Sequence, residues 1–164
     1  RILVILKSGE YMLTNYELTN RYPMNEVIAI EKFYPNTIIS AVHYSDSKKA
    51  NLVKRFQIET TTIDQKYSFI ADEPGAKLVF ATLFSNPTVE YTLDLGKGKV
   101  SQPEQVNLSE FIEVKGWKAL GNKLSGGNIK SIKLIETMGD AKAVNTDIDF
   151  EITNLNDPEQ GSLF

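Results

Sequence analysis

An all-β fold follows from three features of this 164-residue sequence. Short runs rich in Ile, Val, Tyr, Phe and Thr are separated by Gly, Pro, Asn and Ser punctuation. A unit made of a buried-type strand, a polar turn and a mixed strand recurs every ~40 residues. No stretch keeps an apolar period of ~3.6 long enough to make more than one helical turn, near Asn107–Phe111.

The elements follow in order. ILVIL (2–6) is a continuous apolar run of strand length, and Ser8-Gly9-Glu10 turns it into YMLTNYEL. EVIAI (26–30) and TIISAVHY (37–44) are β-branched runs bounded by Tyr-Pro pairs and an Asn. Across the polar turn SDSKKAN comes LVKRFQI, then KYSFIA (66–71). KLVFATLF (77–84) and VEYTLDL (89–95) flank SNPT, and SIKLIE (131–136) follows a Gly-Gly pair. First strands of the unit start at Ile2, Ile38 and Leu78, 36 and 40 residues apart, and a fourth run near Ile129 lies 51 further on. Such spacing indicates propeller-like or pinwheel-like blades, with a single β-sandwich as the alternative; WD and kelch marks are missing.

Composition narrows the function classes. A 41% hydrophobic, 24% charged chain of this length builds one core, not two independent domains. With no cysteine, disulfide frameworks, thiolate metal sites and thiol nucleophiles are excluded, and an intracellular home is permitted. The start RILVILK has too few apolar residues for a signal peptide or membrane span, and without an initiator Met it looks like a piece of a longer chain. Charge is uneven: residues 1–135 carry 17 Lys and Arg against 14 Asp and Glu, net +3, whereas residues 136–164 carry one Lys against seven acids, net −6. A mildly basic body (1–136) with an acidic tail (137–164) fits a polyanion-binding domain with an appendage, though an ordinary solvated surface gives the same sums.

The strings ILVILKSGEYMLTNYEL, LVKRFQIE and above all EFIEVKGWKALGNKL resemble the C-terminal region of the A subunit of bacterial type IIA DNA topoisomerases, topoisomerase IV and DNA gyrase, in the form found in relatives of Bacteroides. The resemblance covers residues 1–136. It implies a β-pinwheel, a ring or partial ring of strand-exchanged four-stranded blades whose basic rim binds and bends duplex DNA without reading its sequence. It further implies no cofactor in this domain, with ATP and Mg used elsewhere in the parent enzyme. The implied partners are the rest of the A subunit and the ATPase B subunit, in a cytoplasmic, nucleoid-associated setting away from membranes. Gyrase carries a QRRGGKG-type box that has no counterpart here, which favours a topoisomerase IV-like role in decatenation and relaxation. The DNA-cleaving tyrosine of that family lies in an upstream domain, so none of the seven tyrosines here takes that role. A protein- or glycan-binding propeller or sandwich is the rival reading; it leaves EFIEVKGWKALGNKL unexplained.

Candidate DNA contacts are the basic clusters on these units. Lys48 and Lys49 sit in a turn, and Lys54 and Arg55 open the strand after it. Lys97 and Lys99 alternate with Gly96 and Gly98, where little bulk keeps phosphates from the backbone; the same residues would also serve as a charged edge against aggregation. GKGK lacks Walker spacing. Lys115, Lys118 and Lys123 lie in VKGWKALGNKLSGGN (114–128). Each lysine is a point charge able to neutralise a phosphate and release counterions, although solvated lysines are common on any surface. In that stretch Gly116, Gly121, Gly126 and Gly127 are expected to supply positive φ for sharp turns, and Trp117 to pack between blades instead of stacking on bases.

Catalytic constellations are poor. The sole histidine, His43, reads as a hydrogen-bonded structural residue. In NTDIDFEI, Asp147 and Asp149 alternate with Ile148, Phe150 and Ile152, which predicts an amphipathic strand over 147–153 covering the last blade. The ending Gln160-Gly-Ser-Leu-Phe164 resembles the Gln-x-Ser/Asp-Leu-Phe peptide that docks on the replicative sliding clamp. In that resemblance Leu163 and Phe164 fill an apolar pocket and Gln160 bonds at its rim.

Overall fold

The computed structural model describes residues 1–15 and 23–137. Its first sheet grows from the hairpin of β1 (Ile2–Leu6) and β2 (Glu10–Thr14), paired from Ile2↔Thr14 to Ile5↔Tyr11. Gly9 turns this hairpin at φ +88°, with the Ile70 side chain 2.6 Å from where a Cβ would stand, so a larger residue is both strained and blocked. After a single 3-10 turn at Met24–Glu26, β3 (Val27–Lys32) pairs with the open side of β1.

The second sheet is built on β4 (Ile38–Ser45) and β5 (Ala50–Gln57), in register from Ile38↔Gln57 to Ser45↔Ala50. The chain then contributes β6 (Tyr67–Ser68) to the edge of β2 before β7 (Lys77–Thr82) closes the β4 side. In the third sheet the long β8 (Pro87–Gly96) is central. The short β9 (Lys99–Val100) and β10 (Glu104–Asn107) line one side of it, and β12 (Asn128–Thr137) lines the other. Between them come the helical turn α1 (Leu108–Phe111), capped by the Asn107 side chain accepting from the Glu110 amide, and β11 (Asn122–Gly126), which returns to the edge of β5. The described residues thus form three four-stranded sheets, two of which take a strand from a later part of the chain.

The all-β class and the exchanged strands agree with expectation; the phase of the repeat does not. KLVFATLF and VEYTLDL are not partners: β7 finishes the second sheet while β8 starts the third. The run near Ile129 belongs to β12 of that third sheet and opens no further sheet among the described residues. A turn that reverses a strand and a turn that changes sheets draw on the same Ser, Asn and Pro, so local chemistry does not separate them.

Two apolar clusters sit on opposite faces of the second sheet. One joins Leu3, Ile5, Tyr11, Leu13 and Phe69 of the first sheet region to Ile39, Ala41 and Phe56. The other joins Val42, Val53 and Phe80 to Val89, Leu108 and Ile112. Alternation along β4 and β5 sends successive side chains to opposite clusters, so all of Ala50–Phe56 is buried. Each fully buried large apolar side chain contributes about 1.5–3 kcal/mol.

Candidate nucleic-acid interface

The middle sheet decides which cations can meet a ligand. Lys54 shares the face of Phe56 and is 2% exposed. Its Nζ donates to the carbonyls of Phe69 and Trp117 at 2.6 Å each and lies 4.8 Å from the centre of the Phe56 ring. Arg55, on the opposite face and 6% exposed, donates through Nε to Ser40 Oγ at 3.2 Å. Its Nη1 and Nη2 reach the Ile112 and Ser85 carbonyls at 3.4 and 2.8 Å. Burial pushes the Lys54 ammonium down to about 8 and lowers the Arg55 guanidinium as well. The expectation that Lys54 and Arg55 touch phosphate is therefore corrected. Both are interior cations that tie β5 to chain segments packed on its two faces, because a strand buried on both sides has no solvent face to offer.

The remaining lysines stay exposed. Lys48 and Lys49 occupy the turn between β4 and β5, where Lys49 holds φ +51° and its Nζ lies 3.1 Å from Asp46 Oδ1, a contact that raises its pKa. Glu73 fastens the same turn from outside, accepting from Ser45 Oγ and the Ser47 amide at 3.0 Å each; these donors hold its carboxyl down to about 2. Lys77 faces Tyr44 across β7 and β4, which adds an exposed cation to this end of the sheet. Lys123 lies on β11 opposite Leu52.

From there the chain crosses between sheets. Gly126 pairs with Ala50, and the Asn51 amide grips the crossing by donating to Ser125 Oγ at 3.2 Å and the Gly127 carbonyl at 2.8 Å. Asn128 then pairs with Asp94, next to the β8–β9 hairpin. That hairpin turns through Gly96, Lys97 and Gly98 at φ +86°, +55° and +77°, with Asp94 Oδ1 accepting from the Gly96 amide at 2.8 Å. Lys97 and Lys99 are displayed at its tip, and Lys130 bulges from β12 beside it. The register thus brings Lys48, Lys49, Lys77 and Lys123 of one sheet to the same end as Lys97, Lys99 and Lys130 of the next.

Lys115 and Lys118 are exposed but lie further along. The Lys115 amide donates to the Arg55 carbonyl at 2.9 Å, near the opposite end of β5, and Lys118 Nζ stands 5.4 Å over the Trp117 ring. Residues 115–126 therefore run beside β5 from Phe56 back to Ala50, and the comb of lysines is stretched along a sheet edge of about 20 Å. Trp117 meets Tyr11 and Tyr67 edge-on at 5.8 and 5.6 Å, a packing role between sheets as expected. Of the four glycines in this stretch only Gly121 and Gly127 have positive φ, +96° and +71°; Gly116 and Gly126 do not. Gly121 is required by contact too, since a Cβ there would stand 1.9 Å from the Val53 carbonyl oxygen.

His43 is fully buried, with Nε2 donating to the Leu120 carbonyl at 2.8 Å and Nδ1 left without a partner. Burial lowers its pKa, so the neutral ring is the folded form. Among the described residues no group of three or more His, Asp or Glu could hold a metal ion, and no helix is long and apolar enough to cross a membrane. Sequence reading passes over Lys77 and Lys130, whose only signal is a polar residue opening KLVFATLF and one interrupting NIKSI. Asp147, Asp149, Gln160, Leu163 and Phe164 lie outside the described residues.

A family model for the topoisomerase C-terminal domain of Bacteroidota matches residues 1–136, ending one residue before β12 does. No curated protein and no solved structure matches the chain significantly. With the family model covering all three sheets, the chain belongs to the topoisomerase C-terminal domain family of Bacteroidota.

Proposed function

We propose that this domain binds and bends duplex DNA for an ATP-dependent type IIA topoisomerase of the topoisomerase IV kind, serving decatenation and relaxation. The observation that carries the reading is the register at the Ser125–Asn128 crossing. There the chain passes from Gly126, paired with Ala50 next to Lys48 and Lys49, to Asn128, paired with Asp94 below the Lys97–Lys99 hairpin. Lys123 and Lys130 lie on either side of the crossing, and Lys77 lies at the same end of the second sheet on its far edge. Lys115 and Lys118 extend the track along β5. Lysines on turns and edges make point contacts with phosphate and carry no base readout. Smoothly bending 20–30 base pairs costs on the order of 1–6 kcal/mol, so several contacts act together. Asp46 and Asp94 within the track keep binding weak and sensitive to salt. The absence of a QRRGGKG-type box supports the topoisomerase IV side of the reading. ATP and Mg then act in the other domains of the parent, the partners are the rest of the A subunit and the B subunit, and the setting is the cytoplasmic nucleoid.

Electrophoretic mobility shift against unrelated duplexes at low and moderate salt tests the proposal. The quadruple change Lys48→Glu, Lys49→Glu, Lys97→Glu, Lys99→Glu is expected to weaken binding equally for all sequences. It should also flatten the dependence of log K on log salt by about 0.9 for each phosphate that is no longer neutralised. Unchanged affinity and slope would overturn the proposed interface.

A further inference from the structure

The hairpin of β8 and β9 outruns its own sheet. On one side β12 begins only at Asn128, opposite Asp94, and on the other β10 reaches no further than Glu104, opposite Tyr91. Beyond them the two strands have only each other, at Asp94↔Val100 and Gly96↔Lys99, and every residue from Asp94 to Val100 is exposed. At the ordinary rise of about 3.4 Å per residue, Gly96 stands about 7 Å past the start of β12. Gly96, Lys97 and Gly98 close the turn, and a Cβ at either glycine would meet nothing within 4 Å. The tip is a slim ribbon that stands clear of the body.

Its side chains are an unusual set for a solvated turn. Leu95 is 60% exposed and Val100 47%, and neither belongs to any of the three apolar clusters. Leu95 is the extra residue of a bulge between the Asp94↔Val100 and Gly96↔Lys99 pairs, a device that re-aims a side chain. Single exposed leucines are common on any surface. This one is bracketed by Lys97 and Lys99, neither of which is held in an ion pair among the described residues. The acid in the ribbon, Asp94, turns its Oδ1 back onto the Gly96 amide. An apolar side chain between free cations suits a polyanion with an apolar interior.

We propose that Leu95 is a wedge that enters the minor groove of duplex DNA and parts two stacked base pairs, with Lys97 and Lys99 on the flanking phosphates. The proposal rests on the DNA-binding reading above and adds how the bend is made. Dimensions decide for the minor groove. It is about 6 Å wide and about 7.5 Å deep, against a strand spacing of about 4.8 Å and a ribbon that projects about 7 Å. Side chains at Gly96 and Gly98 would make the tip too broad for it. The major groove, about 12 Å wide, accepts a hairpin of any composition and asks for no glycine. Leucine gains burial between parted bases and offers no donor or acceptor, so it concentrates the bend at one step without reading sequence. A protein partner seated on Leu95 and Val100 is the competing occupant.

The full chain is tested on duplexes of about 30 base pairs. One carries donor and acceptor dyes at its ends and reports bending; another carries 2-aminopurine in place of its central adenines and reports unstacking. At saturation the wild type is expected to raise energy transfer and to brighten 2-aminopurine by about 1.5-fold or more. Leu95→Ser should lose at least about half of both signals while keeping the salt slope of binding, because its phosphate contacts are intact. Leu95→Met should restore them, since Met also serves as a wedge. Lys97→Ala with Lys99→Ala should do the reverse, flattening the slope by up to about 1.8 yet retaining the 2-aminopurine signal at saturation. Wild-type binding with no rise in 2-aminopurine overturns the wedge and leaves the DNA reading standing. Leu95→Ser matching the wild type in both signals does the same, and is the result a protein partner at the tip would give. Absence of wild-type binding to any duplex overturns both.

Discussion

The Lys54 ammonium and the Trp117 main-chain carbonyl are joined at 2.6 Å inside the domain, through a strand that sequence reading places at the surface. The bond holds the segment carrying Lys115, Lys118 and Gly121 against β5, so a cation that never meets solvent fixes the place of cations that do.

Replacing Lys54 by Met keeps the length of the side chain but leaves the Phe69 and Trp117 carbonyls without their donor. A loss of about 2–5 kcal/mol is expected by urea denaturation at pH 7. The pH dependence has a definite sign. The fold lowers the Lys54 pKa from 10.5 to about 8, so the folded chain binds fewer protons than the unfolded chain between those values. In that window the wild type gains stability relative to Lys54→Met as pH rises. A stability difference that is flat from pH 8 to 10 would contradict the role given to Lys54.

Acid acts through two other groups. His43 has a lowered folded pKa, so its contribution is complete above the unfolded value of 6.5 and is lost as pH falls below it. Glu73 is lowered from 4.5 to about 2, so its contribution is complete above 4.5 and lost between those values. Denaturation midpoints are expected to fall in two steps on acidification, with His43→Leu removing the upper step and Glu73→Gln the lower.

Two glycines of one stretch separate strain from collision. Gly121→Ala drives a Cβ to 1.9 Å from the Val53 carbonyl oxygen at φ +96°, and a cost above about 3 kcal/mol is expected. Gly127→Ala has positive φ, +71°, but nothing within 4 Å, and about 1 kcal/mol is expected. Equal effects in thermal or urea melts would show that the β11–β5 approach is not a hard contact.

The ending Gln160–Phe164 is proposed to dock on the replicative sliding clamp. Fluorescence anisotropy of a labelled peptide covering residues 154–164, titrated with the clamp, should show binding that the double change Leu163→Ala, Phe164→Ala abolishes. Equal affinity of the two peptides would remove the clamp as a partner.

The strands were readable because their signals are local: β-branched runs, alternation, and Gly or Pro at the turns. Even the one-turn helix was marked by Asn107, whose side chain caps it. The identity of the interior cations was not readable. Lys54 finds its acceptors 15 and 63 positions away, and a Lys-Arg pair at the start of a strand looks the same whether the sheet has one wet face or none. The phase of the repeat failed for a related reason. β7 and β8 have nearly equal apolar runs, and only the partners waiting at β4 and β12 show that they belong to different sheets. Trp117 and His43 were readable in role because bulk and a lone imidazole leave few alternatives.

Strand donation also sets the order of events on a ribosome. The edge of β5 at Val53 waits for Asn122, so the second sheet cannot be completed until most of the third unit has been synthesised, and closing the first sheet waits on the second in the same way. Such long-range pairing raises contact order and slows folding. It makes the three units one kinetic body: a nascent chain stalled or cut before residue 122 exposes a bare β5 edge, the kind of surface on which aggregation starts.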